Sequence, residues 1–262
     1  MPGNSRKNLP KPFGGVTVKR VSLFITLVLV FSLFAFGGIL DTIKARGYLV
    51  MGTNATFPPF ESFNTQNEVV GFDVDIGKAI AAKLGVTLRV VDFAFDGLIP
   101  ALQADKFDII LAGMTITEER KKVVLFSDPY FDAGQVIVVR KGYKHFTDVA
   151  ELANEKVAVQ MGTTGDLMAT EVAGIVLTRF PHFTEALMEL ALRRVNAVVI
   201  DSSTADAYVD FNPNLEVGSP VLSAESYGAA IKKGNEELLD FVNQVLKELK
   251  TSPYEAMLEA WF

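Results

Sequence analysis

The chain has 262 residues, of which 49% are hydrophobic and 21% are charged, a composition typical of a globular protein with one large domain or two of modest size. It contains no cysteine, which excludes disulfides, thiolate metal sites and cysteine nucleophiles. Its two histidines, His145 and His182, stand far apart in the sequence and in no ligand spacing, so a zinc site and a histidine-based triad are not expected.

The first 37 residues differ in composition from the rest of the chain. They carry Lys and Arg but no acidic residue, and residues 21–36 are uncharged and strongly apolar. Ala35-Phe36-Gly37 then places small residues at alternate positions, as at a cleavage site. We predict a cleavable secretory signal peptide at residues 1–37. An uncleaved membrane anchor is the alternative, although the apolar run is at the short end for spanning a bilayer.

Removal of this segment would make the chain strongly acidic. The whole chain has 25 basic and 31 acidic residues, and residues 1–37 hold five of the basic residues and none of the acidic ones. The remainder would therefore carry 20 basic against 31 acidic residues, a net charge of −11. An acidic surface disfavours nucleic acid as a partner.

From residue 41 onwards, predicted strands and helices alternate. Strands are predicted at residues 48–53, 86–91, 108–112, 135–140, 156–161, 175–179, 195–200 and 221–231. Helices are predicted at residues 41–46, 73–84, 95–104, 147–153, 183–192, 202–211, 236–250 and 253–262. Asp73 is predicted to be the N-cap of its helix. This alternation is typical of α/β folds with parallel sheets.

The stretch at residues 107–120 is predicted to be a buried strand, a polar loop and a capped helix. Gly113 permits a close approach of the backbone, and Thr117 is the predicted N-cap of the helix that contains Arg120. An arginine and a threonine beyond the carboxyl end of a strand can bind a carboxylate, so Arg120 and Thr115 are candidate ligands for one. A solvated Arg120 without such a role is the alternative.

Three further segments follow predicted strands, which is where ligands bind in open α/β sheets: residues 54–61, residues 160–166 and Asp201. Gly162-Thr-Thr-Gly165 begins a helix whose free N–H groups would face an anion, unless its threonine is a plain N-cap. Asp201 could accept an ammonium group, or could simply cap the next helix. Adjacent sites for a carboxylate and an ammonium group would recognise a free α-amino acid.

Phe57 and Phe95 lie in loops next to these segments. Aromatic faces can flank a ligand side chain or stack on a planar cation. Packing in the core is the alternative in a chain with 20 phenylalanines. Both residues are therefore candidates for the walls of the site.

These segments together resemble the periplasmic binding proteins of polar amino-acid ABC transporters, which are bacterial extracellular solute-binding proteins of family 3. The shared pieces follow the family's order and spacing and span nearly all of residues 41–262. They are Asn54-Ala-Thr-Phe-Pro-Pro-Phe-Glu61, Gly71-Phe-Asp-Val-Asp75, Phe95-Asp-Gly-Leu-Ile-Pro-Ala-Leu102, Ala112-Gly-Met-Thr-Ile-Thr-Glu-Glu-Arg120, Phe126-Ser-Asp-Pro-Tyr-Phe131, Gly162-Thr-Thr-Gly165 and Asp201.

The resemblance implies an α/β fold of two lobes, the Venus flytrap arrangement, in which each lobe is a mixed, mostly parallel sheet flanked by helices. Lobe 1 would comprise residues 38–133 and 225–262, and lobe 2 residues 134–224. Two chain crossings, near residues 131–135 and 223–227, would form the hinge.

The resemblance also implies roles for particular residues. The α-carboxylate of the ligand would be bound by Arg120, Thr115 and the amide of Thr164. The α-ammonium group would be bound by Asp201 and by the carbonyl of Gly113. The remaining site residues would contact the side chain of the ligand, lie near it, or belong to the same turn as Thr164. They are Asn54, Phe57, Glu61, Phe95, Met114, Gln160 and Thr163.

Asn54 departs from the pattern of many family members that bind basic amino acids or glutamine, because those members carry an aspartate there. Asn54 cannot offer a charge to a guanidinium or ammonium group. Glu61 could do so, if its side chain points into the site. The resemblance is strongest to arginine-binding members, so arginine is the expected ligand, with lysine, glutamine and histidine as alternatives.

The resemblance implies a protein outside the cytoplasm, periplasmic in many members, that captures an L-amino acid by hinge closure. It would deliver the amino acid to a membrane ABC permease with its ATPase, and no cofactor, metal or nucleic acid is expected. One alternative is an enzyme similar to periplasmic cyclohexadienyl dehydratases, which the lack of an obvious acid–base pair and of a nearby histidine disfavours. Another is a sensory module fused to a receptor, which the lack of a second hydrophobic span disfavours.

Overall fold

The computed structural model of the protein describes Met1, Gly3 and residues 38–262. The signal peptide predicted for residues 1–37 therefore falls, apart from Met1 and Gly3, outside the described residues. Within the described part of the chain, no helix is both long enough and apolar enough to cross a membrane. The elements of the fold lie in residues 39–262.

The strands are short. Seven of them lie close to predicted strands, at residues 48–53, 87–92, 109–110, 135–140, 156–160, 176–180 and 197–201. The short strands at residues 56–57, 61–63, 124–126, 131–133 and 215–217 were not predicted. In chain order they are β1 (Tyr48–Thr53), β2 (Thr56–Phe57), β3 (Glu61–Phe63), β4 (Val69–Val70), β5 (Thr87–Asp92), β6 (Ile109–Ile110), β7 (Val124–Phe126), β8 (Phe131–Ala133), β9 (Gln135–Arg140), β10 (Lys156–Gln160), β11 (Val176–Phe180), β12 (Ala197–Asp201), β13 (Leu215–Val217), β14 (Glu225–Tyr227) and β15 (Ala230–Lys232). The single strand predicted at residues 221–231 is thus two strands.

The helices alternate with these strands. They are α1 (Ile39–Arg46), α2 (Phe72–Leu84), α3 (Leu98–Gln103), α4 (Glu118–Lys121), α5 (Thr164–Thr170), α6 (Phe183–Ala191), α7 (Ser202–Phe211), α8 (Glu236–Thr251) and α9 (Tyr254–Trp261), with 3-10 turns at Phe95–Gly97 and Val149–Leu152. The helix predicted from residue 95 becomes α-helical only at Leu98. Pro100 is therefore in the first turn, where a missing N–H is tolerated.

Ten of the strands form two five-stranded sheets. The first sheet has the order β5-β1-β6-β15-β7, and the second has the order β11-β10-β12-β9-β13. In each sheet the first three strands are parallel, and the fourth is antiparallel to both of its neighbours. Four of the five strands in each sheet therefore run in one direction, as expected for mixed, mostly parallel sheets.

A two-stranded ribbon joins the parts of the chain around the two sheets. The chain passes from the first sheet to the second through β8 and returns through β14, and these strands pair antiparallel with Phe131 opposite Tyr227. A Cβ atom on Gly134 would lie 2.2 Å from the carbonyl oxygen of Ser223, so only glycine fits between the two crossings. The crossings predicted at residues 131–135 and 223–227 coincide with this ribbon, whereas the lobe boundaries remain a prediction.

Asp73 is not the N-cap of α2, contrary to the prediction. The N-cap position is occupied by Gly71, which has φ of +144° and, as a glycine, has no side chain that could cap the helix. The carboxylate of Asp73 is fully buried instead, and its Oδ2 accepts hydrogen bonds from the N–H of Gly113 at 2.8 Å and the hydroxyl of Tyr130 at 2.7 Å. These partners are distant in sequence, so the local pattern that predicts a cap cannot distinguish the two roles.

The ring of Phe60 is the centre of an aromatic cluster beside the ribbon. It is fully buried, and its centroid lies 4.9 Å from that of Phe131, 5.1 Å from that of Tyr227 and 5.3 Å from that of Phe262. Edge-to-face contacts of this kind add to the gain from area burial. The cluster therefore ties the loop after β2 to the ribbon and to the C-terminal end of the chain.

Phe60→Ala is expected to lower the free energy of unfolding by about 3–5 kcal/mol, because it removes a fully buried ring and leaves a cavity. Phe63→Ala is the matched control, since Phe63 lies in the adjacent strand and is 45% exposed; its effect should stay within about 0.5 kcal/mol. Urea unfolding of the unliganded protein measures both. Equal losses for the two variants would contradict the role given to Phe60.

Candidate functional site

One cavity is bounded by residues at or just beyond the carboxyl ends of β1, β6, β10 and β12, so both sheets contribute to it. Its empty volume, including its opening to solvent, is about 290 Å³. The residues that line it are Asn54, Phe57, Glu61, Phe95, Ala112, Gly113, Thr115, Arg120, Gln160, Thr163, Thr164, Phe183 and Asp201. Eleven of the twelve predicted site residues belong to this set.

Met114 is the predicted site residue that does not line the cavity. Its side chain is buried in an apolar cluster that includes Leu98 and Ile110. Ala112 and Phe183 line the cavity without having been predicted. Phe183 begins α6 shortly after β11, and an aromatic residue close to a strand end is the signal that could have found it.

Direct hydrogen bonds join the two sides of the cavity, so the cleft is closed. Gln160 Nε2 donates to Asn54 Oδ1 at 2.8 Å. Tyr208 Oη donates to the carbonyl oxygen of Thr56 at 2.9 Å. In both bonds one residue belongs to the part of the chain around the first sheet and the other to the part around the second.

The guanidinium group of Arg120 lies in the cavity, and no carboxylate of the described residues forms an ion pair with it. It donates to the carbonyl oxygens of Thr115 at 2.7 Å and of Gly162 at 3.0 Å, and its central carbon lies 5.3 Å from the ring centroid of Phe95. Burial lowers the pKa of Arg120, although the nearby charge of Asp201 acts in the opposite direction. A buried cation without an anion is unfavourable, so this position suits an anionic group.

The predicted amide-rich turn is present at the start of α5. Thr163 is the N-cap, since its Oγ1 accepts a hydrogen bond from the N–H of Asp166 at 3.1 Å. The N–H of Thr164 lies in the first turn, where the helix itself provides no acceptor. Thr163 therefore caps the helix, and the N–H group of Thr164 is present at the cavity as well.

Asp201 occupies the N-cap position of α7, but its buried carboxylate does not cap the helix. Its side chain makes no capping hydrogen bond to α7, and its Oδ1 accepts a hydrogen bond from the hydroxyl of Tyr227 at 2.6 Å. Burial raises the pKa of Asp201 to about 7, against the lowering effect of the hydrogen bond from Tyr227. The N-cap alternative is therefore right about the position and wrong about the side chain, which a residue of the ribbon holds at the cavity.

Glu61 is fully buried, and neither of its carboxyl oxygens has a hydrogen-bond donor. Burial raises the pKa of Glu61 well above its ordinary value, and the neighbouring acids, first among them Asp73, raise it further. Glu61 also lines the cavity, which meets the condition under which it could contact a ligand cation.

Phe57 and Phe95 are packed side chains that also line the cavity, at 5% and 8% exposure. The ring of Phe57 stacks on that of Phe183, with 5.7 Å between centroids. Gly113 has φ of +52°, and a Cβ atom there would lie 2.4 Å from the ring of Phe57. The close approach that the sequence predicts at Gly113 is therefore an approach to Phe57.

Glu225 connects the two sides of the closed cleft and was not predicted. Its Oε2 accepts hydrogen bonds from Thr115 Oγ1 at 2.7 Å and from Thr164 Oγ1 at 2.8 Å. Its Oε1 accepts a hydrogen bond from Ser223 Oγ at 2.8 Å. Nothing in the local sequence pattern separates Glu225 from an ordinary surface acid, because its partners are distant along the chain.

His182 lies beside the cavity, which corrects the expectation that no histidine is near the site. Its Nδ1 is 3.2 Å from Nδ2 of Asn54. The two residues are 128 positions apart, so their proximity arises from the packing of the two sides of the cleft and not from any motif.

Comparison with known proteins is consistent with this geometry. The family model described as bacterial extracellular solute-binding proteins, family 3, matches residues 49–262. The chain is 34% identical over 217 residues to the putative ABC transporter arginine-binding protein 2 of Escherichia coli strain K12, a match that covers 80% of this chain and 88% of that protein.

Solved structures are similar in both sequence and fold. The arginine-bound form of truncated ArgBP from T. maritima is 55% identical, with a TM-score of 0.79 and coverage of 80% of this chain and 99% of that chain. The ancestral amino acid-binding protein AncCDT-1, a precursor of cyclohexadienyl dehydratase, is 42% identical, with a TM-score of 0.81 and coverage of 86% and 100%.

The relatives are solute-binding proteins, and the structures that resemble this one have the two-lobed periplasmic binding protein fold. The predicted fold class and the predicted family are both confirmed. The chain belongs to the bacterial extracellular solute-binding proteins of family 3.

Proposed function

We propose that this protein captures an L-amino acid with a cationic side chain, arginine first, and delivers it to a membrane ABC permease with its ATPase. The observation that carries the proposal is the set of charges in the cavity. Among the described residues, Arg120 forms no ion pair with a carboxylate, and Glu61 and Asp201 form no ion pair with a cationic side chain. An amino acid with a cationic side chain brings one anion and two cations, which complements this set.

The charges in the cavity also distinguish arginine from the other candidate ligands. Glutamine and neutral histidine would leave Glu61 without a cation. Arginine and lysine both supply one, and a planar guanidinium can in addition stack on an aromatic face. Phe57 and Phe95 line the cavity. The homologous ArgBP structure with arginine bound supports this order of preference.

The proposed contacts follow the resemblance, with two additions. The α-carboxylate is bound by Arg120, Thr115 and the amide of Thr164, and the α-ammonium group by Asp201 and the carbonyl of Gly113. We add Phe183 to the walls and Asp73 as the residue behind Glu61. The residues proposed to adjust the side-chain end of the site, or to support its turn, are Asn54, Phe57, Glu61, Phe95, Gln160 and Thr163.

Closure of the cleft is the proposed capture step. The ligand is bound first by residues around the first sheet, and residues around the second sheet then add contacts. A ligand shifts such an equilibrium only by its difference in affinity for the two states. The bonds of Thr164 and Asp201 to residues of the ribbon, Glu225 and Tyr227, support a closed state that contacts the ligand from both sides.

We propose a location outside the cytoplasm, in accord with the family and with the predicted signal peptide. We also propose that the protein is a binder and not an enzyme. The relative reported above is named as a binding protein, and AncCDT-1 is itself described as amino acid-binding. Incubation with prephenate or arogenate tests the enzyme alternative, since product formation would favour it.

A thermal-shift screen of residues 38–262 against the twenty amino acids should give its largest increase in Tm with L-arginine and the next with L-lysine. A ligand that binds only the native state raises Tm by mass action. Absence of a shift with every amino acid would refute the proposed function, and a larger shift with glutamine than with arginine would refute the preference.

Arg120→Ala should weaken arginine binding by about 3–5 kcal/mol, which is about a hundredfold or more in Kd, because the ligand carboxylate loses its buried cation. Isothermal titration calorimetry measures this change. Arg194→Ala is the control, since Arg194 is exposed and paired with Glu189 at the surface. Wild-type affinity in Arg120→Ala would show that the carboxylate is bound elsewhere.

Glu225→Ala should open the unliganded cleft, because it removes the acceptor shared by Thr115 and Thr164. Small-angle X-ray scattering without arginine should then give a larger radius of gyration than for the parent, and saturating arginine should reduce it. Glu237→Ala, an exposed substitution on α8, serves as the control. An unchanged radius of gyration would mean that Glu225 does not hold the two sides together.

A further inference from the structure

Asp73 lies next to Glu61, which lines the cavity: the N–H of Asp73 donates to the carbonyl oxygen of Phe60 at 3.1 Å, and the two carboxyl groups lie within hydrogen-bonding reach of each other. Both side chains are fully buried. Asp73 Oδ2 accepts from the N–H of Gly113 and from the hydroxyl of Tyr130, whereas Asp73 Oδ1 and both oxygens of Glu61 have no donor among the described residues. Three carboxyl oxygens of this pair are therefore buried without a donor.

The surrounding groups do not neutralise this pair. The charged groups that act on Glu61 are Asp73 on α2, Asp92 at the end of β5 and Asp201 at the end of β12, and all are acids. Tyr130 donates to Asp73, and the phenol of Tyr254 lies beyond it.

Across the cavity, the cation Arg120 has Asp201, Glu225 and Tyr227 as its electrostatic neighbours. Further titratable groups near the cavity are His182, on the far side of Asn54, and Asp166, whose Oδ2 accepts from the N–H of Gly162.

Two carboxylates in contact inside a protein cannot both ionise without a large penalty, so one proton is held between them. A proton on Glu61 can be donated to Asp73, which gives a buried oxygen its missing partner. Burial raises the pKa of Glu61 most, the charge of Asp73 raises it further, and this hydrogen bond adds to both. Burial also raises the pKa of Asp73, to about 7. The pair therefore still holds a proton near neutral pH.

We propose that Glu61 and Asp73 form a proton-exchange pair that couples capture of a cationic side chain to the release of one proton. Asp73 is then a positioning residue that sets the choice between cationic and neutral side chains. This inference rests on the proposed function. When a guanidinium group supplies the positive charge, the O–H bond of the shared proton breaks, its electron pair stays on the carboxylate, and the proton passes to the solvent.

A neutral side chain cannot replace the proton. With glutamine, the proton stays on the pair, and Glu61 donates a hydrogen bond to the amide oxygen of the ligand. The association constant for arginine therefore rises with pH by up to about tenfold per pH unit while the pair is protonated, and it levels off above that range. The association constant for glutamine lacks this contribution, although Asp201, whose pKa burial also raises, adds the same dependence for both ligands.

The stability of the unliganded protein depends on pH in the opposite direction. Because the folded-state pKa of each acid is raised, the folded state binds more protons than the unfolded state above about pH 4. The contribution of the pair to stability is fully present below the unfolded pKa and is lost as pH rises towards 7. The increase in Tm caused by arginine should therefore be larger at pH 8 than at pH 5.

Calorimetry at pH 6 in two buffers of different ionisation enthalpy counts the protons exchanged. Titration of the parent with L-arginine should release about one proton more than titration with L-glutamine, because Asp201, whose pKa burial also raises, loses its proton to the α-ammonium group of either ligand. In Asp73→Asn this difference should be smaller than in the parent, because the charge and the hydrogen bond of Asp73 no longer raise the pKa of Glu61. An asparagine oxygen can still accept from Gly113 and Tyr130, so this variant keeps the native contacts.

Two further variants separate the pair from other groups. Glu61→Gln should release the same number of protons with arginine as with glutamine and should lose its preference for arginine over glutamine. His182→Gln should release as many protons as the parent, which excludes the histidine as the source.

Equal proton release with arginine and with glutamine in the parent would overturn the inference and leave the proposed function intact. A larger release with arginine that persists in Glu61→Gln would also overturn it. Failure of the parent to bind arginine at any pH would overturn both. If Asp73→Asn does not fold, the proton count of the parent and of Glu61→Gln decides.

Discussion

The closed cleft depends on charges that the protein buries without pairing them internally. Arg120 makes hydrogen bonds to two carbonyl oxygens, but no carboxylate of the described residues pairs with it, and Glu61 has no donor. Each group is costly to bury alone, and much less costly when a partner of opposite charge is bound. The fold therefore keeps part of the driving force for binding in the empty protein, and an amino acid of matching charge relieves that penalty when the cleft closes.

The two sheets bring these side chains together because both sheets have the same arrangement of parallel and antiparallel strands. Parallel strands bring their carboxyl ends to one edge, and in this protein two such edges face each other, so that Asn54 and Gln160 are in direct contact. Gly113 allows the strand end of the first sheet to approach Phe57, which a side chain would prevent. The geometry of the site is thus set by backbone constraints, and its chemistry by a few buried side chains.

The sequence predicts those parts of the site that local patterns encode. Thr117 and Thr163 are caps at the predicted positions, and Arg120 follows a predicted strand, because capping and strand ends are properties of a few adjacent residues. Asp73 and Glu225 were missed or misassigned because their roles come from partners 40 to 110 residues away. The burial of Glu61 could not be predicted either, since the motif that contains it is equally compatible with an exposed side chain.

Tyr227 belongs to the ribbon, to the aromatic cluster and to the site at the same time. Its backbone pairs with Phe131, its ring packs on Phe60, and its hydroxyl holds Asp201. A change at Asp201 therefore reaches the hinge through Tyr227, whereas Glu61 and Asp73 contact neither ribbon strand through a hydrogen bond of the described residues. The two ends of the cavity are thus coupled to the hinge to different degrees: a substitution at Glu61 leaves the hydrogen bonds of the ribbon strands in place, and one at Asp201 does not.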